Sequence, residues 1–162
     1  MSDVHKLERK ESRMRYLDTA VQLYEHTAQY TRKQFSRKDW DYVVRLRDKA
    51  DLILMKVCEA NSIFPTTKED FEKRRNLLIE ARGVCYALAA ILSSMQRLSK
   101  QVEKDTEQDK EAYKYTKKAH KPDILVNSVT DYCWDHWGDL CRDEIKAIDG
   151  ILRSDKERSE KL

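Results

Sequence analysis

The chain has 162 residues, 38% charged and 40% hydrophobic, with only three Gly, two Pro and a net charge of +3. That length suits one domain with a real core, and so few turn-formers exclude a fold of many short elements in favour of long amphipathic helices. There is no evident run of about 18 apolar residues to span a membrane, and the start MSDVHKLERKESR lacks the apolar region of a secretory signal; the expectation is a cytoplasmic protein, with no membrane partner, in which Cys58, Cys85, Cys133 and Cys141 stay reduced.

The first helix is predicted from about Glu8 to Lys33. Met14, Leu17, Val21, Tyr24, Ala28, Thr31 and Phe35 step by three and four and line one face. Ser36, with Asp39 three residues on, is a plausible cap for the second helix, about Lys38 to Asn61. Its stripe is Trp40, Val43, Leu46, Ala50, Ile53, Val57 and Ala60. Pro65 pushes Phe64 out of helical space, and Thr66 with Glu69 reads as a capping box, so a third helix begins near Thr67.

The third helix runs past Lys100. Phe71, Leu78, Cys85, Leu92 and Ser99 recur every seven residues, interleaved with Arg74, Ala81, Leu88, Met95 and Val102. Residues 100–123 are polar and lysine-rich, and either prolong this helix or form a mobile link. The fourth helix is predicted from about Ile124 to Arg153, with Val126, Val129, Cys133, Trp137, Leu140, Glu144, Ile148 and Ile151 at core spacing. The final SDKERSEKL is expected to fray. The fold class is therefore all-α: an antiparallel up-down four-helix bundle over residues 8–158, with a long polar link between helices three and four and frayed ends at 1–7 and 159–162.

Nothing in the chain is a catalytic motif. There is no Gly-rich phosphate loop and no H-E-x-x-H, and no cofactor is expected. Cys133, His136 and Cys141 have no metal spacing with a standing geometry, and Cys58, Cys85 and Cys133 fall on apolar stripes, which suits buried thiols. His26 and His120 have no evident carboxylate or nucleophile partner. Asp131, Asp135 and Asp139 step by four, a row that could hold a metal but more often is a solvated face. An enzyme is not the expected reading.

Charge is uneven. Residues 1–125 hold 26 Lys and Arg against 20 Asp and Glu, whereas 126–162 hold 6 against 9, which suggests a polyanion partner or pairing between the regions. Arg74 shares the stripe of Phe71 and Leu78, so it faces the core or pairs with an acid such as Glu59. Arg75 and Arg82, seven apart, form a basic flank; with Arg32, Lys33, Arg37 and Lys38 from the first turn they are candidate phosphate contacts. Lys114, Lys117, Lys118 and Lys121, interleaved with Tyr113 and Tyr115, have the composition of a single-strand binding segment or of a plain linker. Trp134 lies about 60° off the phase of Trp137 and could be an exposed partner anchor or a rim residue.

The run A-N-S-I-x-P-T-x-x-E-x-F-x-x-R-R at Ala60–Arg75, the helical start near Arg9–Arg13 and the ending I-L-R-S-D-K-E-R at Ile151–Arg158 resemble bacterial four-helix-bundle proteins. These are the accessory variability determinant (Avd) proteins of diversity-generating retroelements, related to bundle proteins encoded in intervening sequences of ribosomal RNA genes. The resemblance covers most of residues 8–158 and is densest at 60–92. It implies a basic homo-oligomer, a pentameric ring in that family, that binds RNA or DNA. It also implies a reverse transcriptase partner, with which such proteins make error-prone complementary DNA from a template-repeat RNA. Arg74 and Arg75 match the family's arginine pair after the turn. The competing expectation is a helical interaction module that binds no nucleic acid, its acidic fourth helix meeting the basic body of the next subunit.

Overall fold

The computed structural model describes residues 3–35, 37–113 and 130–162, with residues 3–14, 38 and 102–113 described by backbone alone. Four helices make the fold: α1 Asp3–Lys33, α2 Trp40–Ser62, α3 Lys68–Tyr113 and α4 Asp131–Ser159, with a 3-10 turn at Arg37–Asp39 between the first two. Among the described residues each helix packs on two others, α1 on α2 and α4, α3 on α2 and α4, with no diagonal contact. That is an antiparallel up-down four-helix bundle, square in section.

The stripes of α2, α3 and α4 enter the core as the spacing predicts. Val43, Leu46, Ala50, Ile53, Val57 and Ala60 are buried on α2, and Phe71, Leu78, Ala81, Cys85, Leu88, Leu92 and Met95 on α3. Cys133, Trp137, Leu140, Glu144, Ile148 and Ile151 are buried on α4; Val102, Val126 and Val129 lie outside the residues whose side chains are described. One thiol departs from expectation: Cys58 is exposed, whereas Cys85, Cys133 and Cys141 are buried.

The α1 stripe is the exception. Its buried line is Tyr16, Ala20, Leu23 and Thr27, one residue before the predicted Leu17, Val21, Tyr24 and Ala28; the two lines meet at Thr31, which is buried as predicted, and Tyr24 is exposed. The reason is that polar residues on α1 bring their own partners inside. Thr27 Oγ1 donates to the Leu23 carbonyl at 2.7 Å and Thr31 Oγ1 to the Thr27 carbonyl at 2.6 Å. Tyr16 Oη donates to Asn61 Oδ1 at 2.9 Å. A hydroxyl satisfied by its own helix loses little on burial, so apolarity alone misplaces the face.

Helix ends also move. Thr67, not Thr66, caps α3: its Oγ1 accepts from the Asp70 amide at 3.2 Å while Asp70 Oδ2 accepts from the Thr67 and Thr66 amides at 3.1 and 3.2 Å. The box is reciprocal but one residue later than Thr66–Glu69. Those amides, Thr66 first, hold the Asp70 carboxyl below its ordinary range. The polar stretch after Lys100 prolongs α3 to Tyr113, so roughly 20 Å of helix extends past Lys100 at 1.5 Å per residue. Thr130 is extended (φ −67°, ψ 153°) and caps α4 at Asp131; the predicted start from Ile124 lies outside the described residues. Ser36, the expected cap of α2, lies outside the described residues.

At the far end α4 stays helical to Ser159 instead of fraying at Ser154. Asp155 is buried against Arg74, Nε to Oδ2 at 2.8 Å, an ion pair whose contact lies off the N–H axis. Arg74 Nη1 also donates to the Ile63 carbonyl at 3.1 Å. One buried guanidinium thus ties the α2–α3 link and the last turns of α4 to α3. Its acid is Asp155; Glu59 pairs with Lys56.

One stretch, Lys68–Gln101 of α3, is long and apolar enough by composition to cross a membrane, which the sequence reading did not anticipate. In the bundle its inner face lies between α2 and α4. The core also holds a carboxyl, Glu144, fully buried, with neither oxygen hydrogen-bonded among the described residues. Burial pushes it up to about 8.

Candidate nucleic-acid interface

The end of α1, the 3-10 turn and the start of α2 enclose a cleft of about 920 Å³. Arg32 and Lys33 close the last turn of α1, where cations complement the helix dipole. Both line the cleft, as does Arg37, and all three are exposed. The side chain of Lys38 lies outside the described ones. The fold therefore brings together three of the four cations predicted for this turn.

It adds two residues that sequence reasoning missed. Arg47, two turns into α2, lines the cleft and donates from Nε to Thr31 Oγ1 at 2.9 Å. Trp40, assigned to the α2 core stripe, is 58% exposed on the same cleft. It is the first residue of α2, where the helix has not yet turned its stripe against α3, so its indole remains at the rim. Antiparallel α1 and α2 put position 31 opposite position 47; a hydroxyl on one and a guanidinium on the other was the available signal. Asp48 and Asp51 also line the cleft, so four cations face two carboxylates.

The wall behind the cleft is stiffened by a hydrogen-bond chain. Trp137 Nε1 donates to Thr27 Oγ1 at 2.9 Å, and Thr27 and Thr31 pass their protons to carbonyls one turn back. Phe35 meets Trp134 and Trp137 edge-on at 6.3 and 6.5 Å. Trp134 is thus buried, stacked on Trp137 at 6.0 Å, and is not an exposed anchor. The α1–α2 link carries Phe35 over the end of α4, which widens the buried face there and takes in a residue 60° off its centre.

Arg75 and Arg82 do not join this cluster. Arg75 lies near the start of α3, by the turn that the 23 residues of α2 set roughly 34 Å from the first, and Arg82 lies two turns further along α3, beside Asp149. Arg75 is exposed; Arg82 is half-buried and donates to Asp149 Oδ1 of α4 at 2.6 Å. Lys114, Lys117, Lys118, Lys121, Tyr115 and His120 lie outside the described residues.

Other polar groups near the cleft end are explained locally. Burial pushes the Cys133 thiol up, but hydrogen bonds from Thr130, Tyr30 and Gln34 outweigh it and leave the group below its ordinary value. Its place in the first turn of α4 explains the donors. His26 is buried beside Tyr30, His136 and Trp137, and desolvation with the neighbouring His136 lowers it to about 4, so it is neutral. Asp131 pairs with Lys100 at 3.2 Å and Asp139 with Arg142, while Asp135 is exposed. Among the described residues no three His, Cys, Asp or Glu side chains are placed to hold a metal.

No family model matches the chain, and no curated protein or solved structure is significantly similar to it.

Proposed function

We propose that this protein is a non-enzymatic nucleic-acid-binding subunit, acting in the cytoplasm beside a reverse transcriptase and its template RNA in the manner of the Avd-like proteins it resembles. The observation that supports the reading is the cleft at the α1–α2 end: Arg32, Lys33, Arg37 and Arg47 around an exposed indole, Trp40. Guanidinium groups give phosphate bidentate contacts, and an exposed indole offers a base a face to stack on. Asp48 and Asp51 bar a close approach by a polyanion on one side, so the strand is expected to track the α1 side of the cleft.

The test is anisotropy of a labelled structured RNA over a salt series. Binding should weaken steeply with salt because each neutralised phosphate releases counterions. The pair Lys33→Glu and Arg37→Glu should reduce the slope of log K against log salt by about 2, and Trp40→Ala should weaken single-strand binding by ~1–3 kcal/mol per stacked base. Absent or salt-insensitive binding sinks the reading. Copurification with a reverse transcriptase tests the partner.

A second reading, self-association, is favoured by one feature of α3. From Gly83 to Gln96 no residue is charged, in a chain where 38% are. Tyr86, Ala87 and Ala90 on that stretch are exposed, Tyr86 by 58%. A face without charges suits contact with a second copy, and a ring of five is the family-like outcome. Light scattering of Ala90→Glu against the parent separates the readings: loss of oligomer with RNA binding intact supports both functions on different faces.

A further inference from the structure

The opposite end of the bundle carries a second cationic feature, of a different kind. A pocket of about 130 Å³ opens at the α2–α3 turn, lined by Asn61, Phe64, Pro65, Thr66, Arg74 and Arg158. That is room for one tetrahedral oxyanion with water around it.

The lining is selective. Arg74, 6% exposed, uses Nε on Asp155 and Nη1 on the Ile63 carbonyl, which leaves Nη2. Arg158 reaches the other oxygen of Asp155 from Nη1 at 3.3 Å, with its guanidinium 5.2 Å from the Phe71 ring centroid, and keeps its remaining donors. Asn61 accepts from Tyr16 on Oδ1, so its amide NH₂ is left to donate. Two guanidinium groups share one carboxylate, and among the described residues no carboxylate lines the pocket itself. The rim holds Phe64, 83% exposed on the residue before Pro65. An arginine nine-tenths buried, with a donor remaining at a small cavity that a second guanidinium and an amide NH₂ also line, is a site suited to an anion, although the Thr66 amide and hydroxyl are already given to Asp70.

We propose that this pocket binds a single phosphoryl group, either the terminal phosphate of a nucleic-acid strand whose end base stacks on Phe64 or a free phosphate or nucleotide. The strand source rests on the function proposed above; the free source does not. The site differs from the cleft in scale: the cleft is wide enough to track a backbone, whereas this pocket admits one tetrahedral group.

The experiment uses the full chain and three probes: inorganic phosphate, a nucleoside 5′-monophosphate, and one RNA strand with a 5′-phosphate or a 5′-hydroxyl. Inorganic phosphate, against chloride at equal ionic strength, should raise the melting temperature, and Arg158→Gln should abolish the rise. Phe64→Glu, which sets a carboxylate on the exposed rim without touching the core, should abolish it too and serves if Arg158→Gln does not fold. A strand source predicts about tenfold tighter binding of the 5′-phosphate strand, a difference of ~1.4 kcal/mol, lost in both variants and kept in Lys33→Glu/Arg37→Glu. Protection by phosphate or nucleotide without strand preference assigns the free source. No protection of the parent by any probe overturns the site, whatever the cleft variants show.

Discussion

Glu144 offers the sharpest test of the core. It is fully buried, neither oxygen is hydrogen-bonded among the described residues, and burial pushes it from 4.5 to about 8. The charges and titratable groups it feels come from three sides: Tyr16 on α1, Cys85 on α3 and Cys141 on its own helix, each raised in part by its proximity. Because the folded chain holds the proton and the unfolded chain releases it above 4.5, the protein keeps the whole of this group's contribution below that value. It loses stability as pH climbs toward 8. At 1.36 kcal/mol per pH unit, the loss by neutral pH is about 3 kcal/mol and by pH 9 about 5 kcal/mol. Glu144→Gln keeps the shape and cannot ionise. It should match the parent near pH 4.5 and exceed it by about 3 kcal/mol at neutral pH, a rise of roughly 10 °C in Tm for a chain of this size. Urea unfolding followed by far-UV circular dichroism at about pH 5, 7 and 9 measures the difference, in which titrations common to both chains, such as that of Cys133, cancel. Parallel pH curves for the two chains would show that the carboxyl is solvated or partnered, and would refute the argument.

The remaining expectations concern the far end of the bundle. Arg74 and Asp155 are each about 7% exposed in their side chains, so Arg74→Met alone should cost ~3 kcal/mol by taking from Asp155 the closer of its two guanidinium partners, with Arg158 still in reach, and Arg74→Met with Asp155→Leu should recover most of it in denaturant melts. If the double variant is no better than the single one, the guanidinium acts through the Ile63 carbonyl and not through the acid. At the α3 start, Asp70→Ala should lower Tm and Glu69→Ala should leave it unchanged, since the capping carboxylate is at 70. The reverse order in differential scanning calorimetry would restore the Thr66–Glu69 box.

The architecture was legible because three of the four helices obey the simple rule that apolar spacing marks the inner face. On α3 the rule extends even to Arg74 and Ser99, polar residues that the heptad spacing places inside and that the structure buries. It fails on α1 because Thr19 and Thr27 carry satisfied hydroxyls inward while Tyr24 turns out. It fails at the ends of stripes for a related reason. Trp40 has the right phase but precedes the packed part of α2, and Trp134 has the wrong phase but meets Phe35 from a neighbouring link. The frayed tail was misread because SDKERSEKL is polar, and its anchor, Arg74, lies some eighty residues upstream.

The site was half legible for a reason of topology. Clusters within one turn, such as Arg32, Lys33 and Arg37, survive folding because a short link keeps them at one end of the bundle. Clusters assembled across turns depend on which end each turn occupies, and an up-down bundle sends successive turns to opposite ends. Arg75 and Arg82 therefore part from the first-turn cations, and Arg82 finds Asp149 across α3 and α4 instead. The same alternation brings Arg158, from the last turns of α4, to Arg74 at the start of α3, a pairing no local pattern announces. The consequence is two cationic features about one helix length apart, one wide and one small. A strand held in the cleft by its backbone would need roughly six to seven nucleotides, at about 5–6 Å each when extended, to set its end in the pocket of the same subunit. An RNA shorter than that should therefore engage one site or the other, never both, so Lys33→Glu/Arg37→Glu should leave unchanged the part of its affinity that a 5′-phosphate adds.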